Sequence, residues 1–206
     1  CLAASFSQAQ ITNGLVVHLA FDGTNASGVY TNSMGNGVDA TPVGTPAQGT
    51  GKMGKCVILT VDGTQSLNNY LTLGYPPELQ FGSVTAGTAT DFSISFWVNY
   101  TNQASDPAFI ASQNWASSNN KGWGLYMQGS GNTRIVTCDR DGGTAHRTQT
   151  TVGNPDGLLK DGKWHHVKVT WGRLGSMSVY KDGALVAAVP LTVTQGDIDP
   201  FDLGNS

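Results

Sequence analysis

Phe92-Ser93-Ile94-Ser95-Phe96-Trp97-Val98 is the most regular segment of this chain. Apolar residues occupy every second position, and successive side chains of a β-strand point to opposite faces of a sheet. The segment therefore predicts a strand whose phenylalanine and aliphatic side chains pack against a core. Trp97 falls between those positions, so we expect it on the opposite, outer face of the strand.

Two-residue alternation recurs on both sides of this segment. The residues predicted to share one strand face are Leu15, Val17, Leu19 and Phe21 near the start, then Val167, Val169 and Trp171, and Met177 and Val179. Shorter candidate strands lie at 56–61, 70–73, 107–112, 122–128 and 133–138. Asp182-Gly183 precedes the apolar run 184–189 and is typical of a two-residue hairpin turn, because both residue types tolerate positive φ. We therefore expect antiparallel strands.

The composition favours an all-β protein. The 206 residues include 27 Gly and 8 Pro, and Glu78 is the one Glu among 14 acidic residues, so turn-forming residues outnumber helix-forming ones. Each sheet has one apolar face that another layer must cover, so the strands predict a two-sheet antiparallel β-sandwich of the jelly-roll type. Residues 31–55, rich in Gly, Thr and Asn, are expected to form a long loop.

Charge and hydropathy exclude two classes of partner. The chain has 11 Lys and Arg against 14 Asp and Glu, a net charge of −3, and its basic residues do not cluster in sequence. A nucleic-acid-binding protein would show a basic patch. No run of about 18 apolar residues is present, so no membrane span is expected.

The N-terminal residues have the character of an export signal. Residues 2–9 are small and largely apolar and end in Ser7-Gln8-Ala9, with small residues where a signal peptidase would require them. We interpret 1–9 as a signal-peptide remnant of a secreted or cell-surface protein. A disordered terminus and a lipidated Cys1 are the alternatives. Cys56 and Cys138 fit no metal spacing, and either one disulfide or two buried thiols would account for them.

Several motifs resemble one family, the laminin-G-like or concanavalin A-like jelly-roll domains of secreted bacterial multidomain proteins. The most specific is Asp161-Gly162-Lys163-Trp164-His165-His166-Val167, followed by Tyr180-Lys181-Asp182-Gly183. The segments 14–22 and 32–37 are similar to the first strand and the following loop of the family. The segments 51–56 and 69–73 resemble its next pair, and 91–98 resembles its central strand. No long Pro- or Ser-rich linker divides the sequence, so we expect one domain over 11–206. In the family, a further strand with an acidic pair follows a motif like Leu203-Gly204-Asn205, so the resemblance implies that this domain is C-terminally truncated and lacks its final strand.

Glycoside hydrolysis is disfavoured, although this fold also hosts glucanases. A retaining glycosidase needs two carboxyl groups about 5–5.5 Å apart. Glu78 lies in a Pro-rich turn, and Asp139 and Asp141 precede Gly142-Gly143, which is typical of a hairpin tip. No Gly-x-Ser-x-Gly motif accompanies the histidines. We therefore expect a noncatalytic domain.

Metal binding has one candidate residue. His165 and His166 are adjacent on a predicted strand and point to opposite faces, so they cannot chelate one ion together. The resemblance implies a structural Ca²⁺ held by Asp side chains and loop carbonyls. Asp22, at the end of the first predicted strand, is the candidate ligand, and a surface Asp in a turn is the alternative.

Carbohydrate binding needs an aromatic ring beside polar groups. Trp115 lies in a polar segment with Asn114 and Asn119, where a large ring has little local reason to occur. Trp97 and Tyr126 are further candidates, because period-two counting places them opposite the apolar faces of their strands. The alternatives are a Trp115 lid over the edge of the sandwich and a second packing layer, formed by 31–55, over the other two rings.

Two functions remain open on these observations. The first is a noncatalytic, lectin-like module that attaches an exported protein to glycans or polysaccharide. The second is a structural or adhesive domain that contacts other proteins, or other domains of the same polypeptide, and has no sugar site.

Overall fold

The structure is a computed structural model, and it describes residues 13–60, 69–82, 87–101, 108–113, 122–127, 133–138, 147–152 and 159–191. Regular structure in these ranges is almost entirely β. The elements in chain order are β1 Thr41–Val43, β2 Ala47–Thr50, β3 Lys55–Ile58, β4 Tyr70–Thr72, a 3₁₀ turn Pro77–Leu79, β5 Phe92–Val98, β6 Ala108–Gln113, β7 Gly122–Met127, β8 Thr133–Cys138, β9 Arg147–Val152, β10 His165–Trp171, β11 Ser176–Lys181 and β12 Ala184–Pro190.

Two four-stranded sheets form the body of the fold. One has the strand order β12-β11-β10-β5 and the other β6-β7-β8-β9, and all their neighbouring strands are antiparallel. The pairs β1-β4 and β2-β3 are smaller and also antiparallel. We call the first sheet the β5 sheet and the second the β7 sheet.

The core lies between the two large sheets. The β5 sheet contributes the buried residues Val167, Val169, Trp171, Met177 and Val179, and the β7 sheet contributes Trp123 and Leu125. Aromatic rings join the layers: Trp123 of the β7 sheet lies 5.5 Å from both Phe92 and Trp171, which stack on each other within the β5 sheet at 4.5 Å. One apolar face of each sheet therefore covers the other, which confirms the predicted antiparallel β-sandwich.

The predicted hairpin turn at Asp182-Gly183 is confirmed. Lys181 pairs with Ala184, so two residues form the turn. Their φ angles are +51° and +86°, both in the left-handed region that a type I′ turn requires.

The strand predicted at 15–21 is wrong. Leu15, Val17, Leu19 and Phe21 are half-buried, yet this segment pairs with no strand in the described part of the chain. Side chains bond its backbone instead. Asn32 Oδ1 accepts from the His18 amide at 2.8 Å, and the Asn32 and Asn36 side chains donate to the Val16 carbonyl at 3.0 and 2.9 Å.

The long loop predicted at 31–55 is also wrong. This segment contains β1 and β2, and an isolated bridge joins Tyr30 to Ala40. Tyr30, Val38 and Ala40 are buried. This stretch therefore buries apolar side chains although its composition is typical of a loop.

Cys56 is a free thiol. Its Sγ lies 3.5 Å from the Thr50 carbonyl oxygen on the neighbouring strand. Of the two alternatives for the cysteines, a disulfide through Cys56 is therefore not formed.

Candidate functional site

The outer face of the β5 sheet carries a row of polar and aromatic side chains. Because the apolar residues of β5, β10 and β11 point into the core, the residues between them point outward. We call this set the outer face, and its members are Ser93, Ser95, Trp97, His166, Lys168, Thr170, Ser176, Ser178, Tyr180 and Leu185. None of these side chains is buried.

Trp97 is the most prominent ring of the outer face. Its side chain is 39% exposed, and it pairs with His166 across the sheet, with ring centroids 5.2 Å apart. Lys52 Nζ lies 5.4 Å from the Trp97 ring centroid, at a distance that permits a cation–π contact. The turn between β2 and β3 therefore reaches the edge of the outer face.

A second cation lies beside an aromatic ring on the same face. Lys168 pairs with Tyr180 across β10 and β11, and its Nζ lies 5.9 Å from the Tyr180 ring centroid. Ser95 pairs with Lys168 on the other side, and Thr170 pairs with Ser93. The face thus combines two rings, two ammonium groups and several hydroxyl groups.

Tyr126 lies on the predicted side of its strand, but the expectation of an exposed ring is wrong. Trp123 and Leu125 enter the core, so Tyr126 points to the opposite face of the β7 sheet. Its side chain is only 7% exposed, and its ring lies over Gly124, where a Cβ would collide with it. Burial raises the pKa of the Tyr126 hydroxyl. The ring is therefore not available for a sugar to stack on.

Three of the predicted carbohydrate contacts lie outside the described residues. They are Trp115, Asn114 and Asn119, which lie in sequence between β6 and β7. They stay predictions. Asp139 and Asp141 also lie outside the described residues, between β8 and β9.

Asp22 is engaged by the backbone of the β2–β3 turn. Its Oδ1 accepts a hydrogen bond from the Lys55 amide at 2.8 Å. Calcium prefers six to eight oxygen ligands, several of them carboxylates. The described ranges contain no group of three or more His, Cys, Asp or Glu side chains suited to a metal. The described residues therefore do not by themselves form a calcium site, and the role of Asp22 as a ligand stays a prediction.

His165 lies between two carboxylates on the side of β10 opposite to His166. Its Nδ1 is 2.7 Å from Asp182 Oδ2 and its Nε2 is 3.1 Å from Asp161 Oδ1. Both ring nitrogens are thus occupied, and no described Ser, Thr or Cys forms a hydrogen bond with the ring. The arrangement holds the β11–β12 turn against β10 and contains no nucleophile.

The two carboxylates have lowered pKa values. For Asp161, the Lys163 amide is the main cause, and the His165 ring adds to it. For Asp182, partial desolvation raises the pKa, but hydrogen bonds from the His165 ring and the His166 amide outweigh it. Both groups are therefore stabilised as carboxylates.

Among the described residues, no acidic pair suited to glycoside hydrolysis lies at this site. Glu78 is exposed in the short 3₁₀ turn, and the outer face contains no Asp or Glu. The described residues also include no helix long and apolar enough to cross a membrane.

Comparisons place this fold among known proteins. The Laminin_G_3 family model, described as the concanavalin A-like lectin/glucanases superfamily, matches residues 60–206. The binding domain of Paraclostridial Mosquitocidal Protein 1 is similar, with 17% identity and a TM-score of 0.61, over 88% of this chain and 41% of that one.

Botulinum neurotoxin structures are also similar. A type C structure, described in terms of interaction with two ganglioside molecules, has 16% identity and a TM-score of 0.61, over 92% of this chain and 42% of that one. The binding domain of botulinum neurotoxin DC in complex with rat synaptotagmin II has 15% identity and a TM-score of 0.57, over 91% and 42%. This chain spans about two fifths of the solved structures it matches. At these identities the likeness shows the fold. No curated protein matches.

Proposed function

This chain belongs to the concanavalin A-like lectin/glucanases superfamily, and from that premise we propose that it is a noncatalytic, lectin-like module of an exported protein. The module binds glycans or polysaccharide through the outer face of the β5 sheet. Trp115, with Asn114 and Asn119, is proposed as a second contact, and a structural Ca²⁺ near Asp22 as a further component.

The exposed ring of Trp97 is the observation that carries this proposal. Sugars present apolar C–H faces to aromatic rings and hydroxyl groups to polar side chains. Trp97 offers such a ring on the outer face, and the exposed hydroxyls of Ser93 and Ser95 lie on the same strand. The exposed ring and the neighbouring hydroxyl groups together provide the two kinds of contact that a sugar requires.

The neighbouring structures support binding as the general activity. Two of them are described as binding domains, and the type C neurotoxin structure is described in terms of ganglioside interaction. The absence of an acidic pair among the described residues of the outer face supports a noncatalytic module.

A glycan array tests the proposal, with Trp97→Ala compared against the unmodified chain. Stacking on one ring contributes on the order of 1 kcal/mol, so the variant should weaken the Kd of the best glycan by about five- to tenfold. Tyr70→Ala is the matched control, because Tyr70 is an aromatic residue of β4 that is 48% exposed and lies outside the outer face. If no glycan binds, or if both variants bind as the unmodified chain does, the proposal fails.

A protein-interaction domain is the second candidate. Met53, Leu174 and Leu185 are exposed apolar side chains, and the neurotoxin DC structure contains synaptotagmin II. An array without any bound glycan would favour this alternative.

A further inference from the structure

From the charges on the outer face we infer that the ligand is an acidic glycan, one that carries carboxylate or sulfate groups. The inference rests on the proposed function, because it concerns the same face and the same ring. It goes further in specifying the charge of the ligand and the residues that select it.

The outer face is positive although the chain has a net charge of −3. Lys52 and Lys168 both extend over it, and neither forms an ion pair with a described residue. The outward positions of β5, β10 and β11 contain no acid. Asp182, next in sequence to β11, directs its carboxylate to His165 and to the His166 amide. In the described part of the chain, no acidic side chain therefore neutralises either ammonium group.

The two lysines are held beside the two rings. Lys52 lies against Trp97, and Lys168 lies against Tyr180. A sugar that stacks on a ring therefore meets an ammonium group at its edge, where a carboxylate or sulfate substituent would accept hydrogen bonds from it. A lysine over an exposed ring is weakly bound. A sugar can therefore displace the ammonium group from the face of the ring, and the acid group of the sugar then keeps the ammonium group nearby through hydrogen bonds.

The spacing of the two pairs favours an oligosaccharide. Trp97 and Tyr180 lie two strands apart and are offset by two residues along the sheet. With strands about 4.8 Å apart and a rise of about 3.4 Å per residue, their Cα atoms are about 12 Å apart. This span is longer than one sugar ring, so successive units of an acidic polysaccharide can contact both pairs.

Pairs of polysaccharides that share one sugar backbone but differ in charge test the inference. The 206-residue chain is titrated with dextran and dextran sulfate, and with polygalacturonate and its methyl ester, at low and high salt. In at least one pair, we expect the chain to bind the acidic polymer at least tenfold more tightly than the neutral polymer. High salt should reduce this difference in affinity. The two pairs distinguish sulfate from carboxylate as the recognised group.

Lysine variants then assign the preference to the outer face. Lys52→Gln and Lys168→Gln should each weaken binding of the acidic polymer about three- to tenfold, and the double variant should remove the preference while binding of the neutral polymer stays unchanged. Lys163→Gln is the matched control, because Lys163 is exposed, lies outside the outer face and pairs with Asp161. Circular dichroism verifies that each variant is folded.

Different failures have different meanings. If neutral and acidic polymers bind equally, with Trp97 required for both, the inference is overturned and the proposed function stands. If no polymer binds and no glycan of the array binds, the proposed function itself fails. If double-stranded DNA competes fully and Trp97→Ala has no effect on the acidic polymer, the face is a general polyanion surface and the inference is overturned.

Discussion

Asn32 replaces, through its side chain, the hydrogen bonds that a neighbouring strand would otherwise supply. It is 1% exposed; its Oδ1 accepts from the His18 and Met34 amides, and its Nδ2 donates to the Val16 carbonyl and to Asn36. A buried amide with this many partners is costly to remove, because each backbone group left without a partner is also desolvated.

We therefore expect Asn32→Ala to lower the free energy of unfolding by about 1–3 kcal/mol. Asn36→Ala should cost less, because Asn36 is exposed and water can replace its bonds to Val16, Asn32 and Val38 more easily. Urea unfolding of both variants measures the difference. Equal losses would show that the burial of Asn32 contributes nothing.

The Asp182 carboxylate makes the stability of the fold depend on pH. Its pKa is lowered in the folded state, so its contribution is fully present above the unfolded value of about 3.9 and is lost as the pH falls through the folded value. Asp182→Asn should therefore be less stable than the unmodified chain at pH 7, and the two should converge as the pH falls through the lowered folded-state pKa of Asp182.

Asparagine keeps the geometry of the turn in this experiment. It tolerates the left-handed φ of +51° at position 182 and retains an oxygen that can accept from the His166 amide. Chemical unfolding from pH 7 down through the folded-state pKa of Asp182 is the measurement, and Glu78→Gln removes an exposed acid as a control. Parallel pH curves for Asp182→Asn and the unmodified chain would contradict the predicted linkage.

At the scale of elements, the β2–β3 hairpin connects the N-terminal segment to the outer face. Its turn presents Lys52 to Trp97, and Asp22 holds the same turn through the Lys55 amide. Gly54 permits this arrangement: its φ is +63°, and a Cβ there would collide with the Asp22 carboxylate. The position of Lys52 thus depends on a glycine two residues away.

Gly54→Ala should therefore lower stability by about 1–2 kcal/mol for the left-handed backbone, with a further loss from the displaced carboxylate. It should also reduce glycan binding, because Lys52 moves away from Trp97. Gly35→Ala is the matched control, since its φ is +69° and a Cβ there meets nothing within 4 Å. If both variants lose the same stability and neither changes binding, Asp22 does not fix this turn.

At the scale of the whole molecule, alternation predicts the sandwich because the two large sheets bury one face each. In β5, β10 and β11, the residues predicted to face the core are the more buried ones at every position. The alternation predicts them correctly because only one face of each strand is covered by the other sheet. The outward position of Trp97 follows from the same counting.

Other features depend on contacts that alternation cannot reveal. The segment 15–21 has the pattern of a strand, but its hydrogen-bond partners are side chains of Asn32 and Asn36. β9 was not predicted, because Arg147–Val152 is mostly polar. The approach of Lys52 to Trp97 joins residues distant in sequence, so the charge of the candidate site is visible only in three dimensions.

The unequal exposure of the tryptophans gives this protein an intrinsic optical reporter. Trp123 and Trp171 are sealed between the sheets, whereas Trp97 is in contact with water beside a lysine. A soluble fluorescence quencher reaches the indole of Trp97 far more readily than it reaches those two. A molecule that binds over Trp97 shields its indole, so occupancy can be followed in the unlabelled chain as the part of the quenching that Trp97→Ala abolishes.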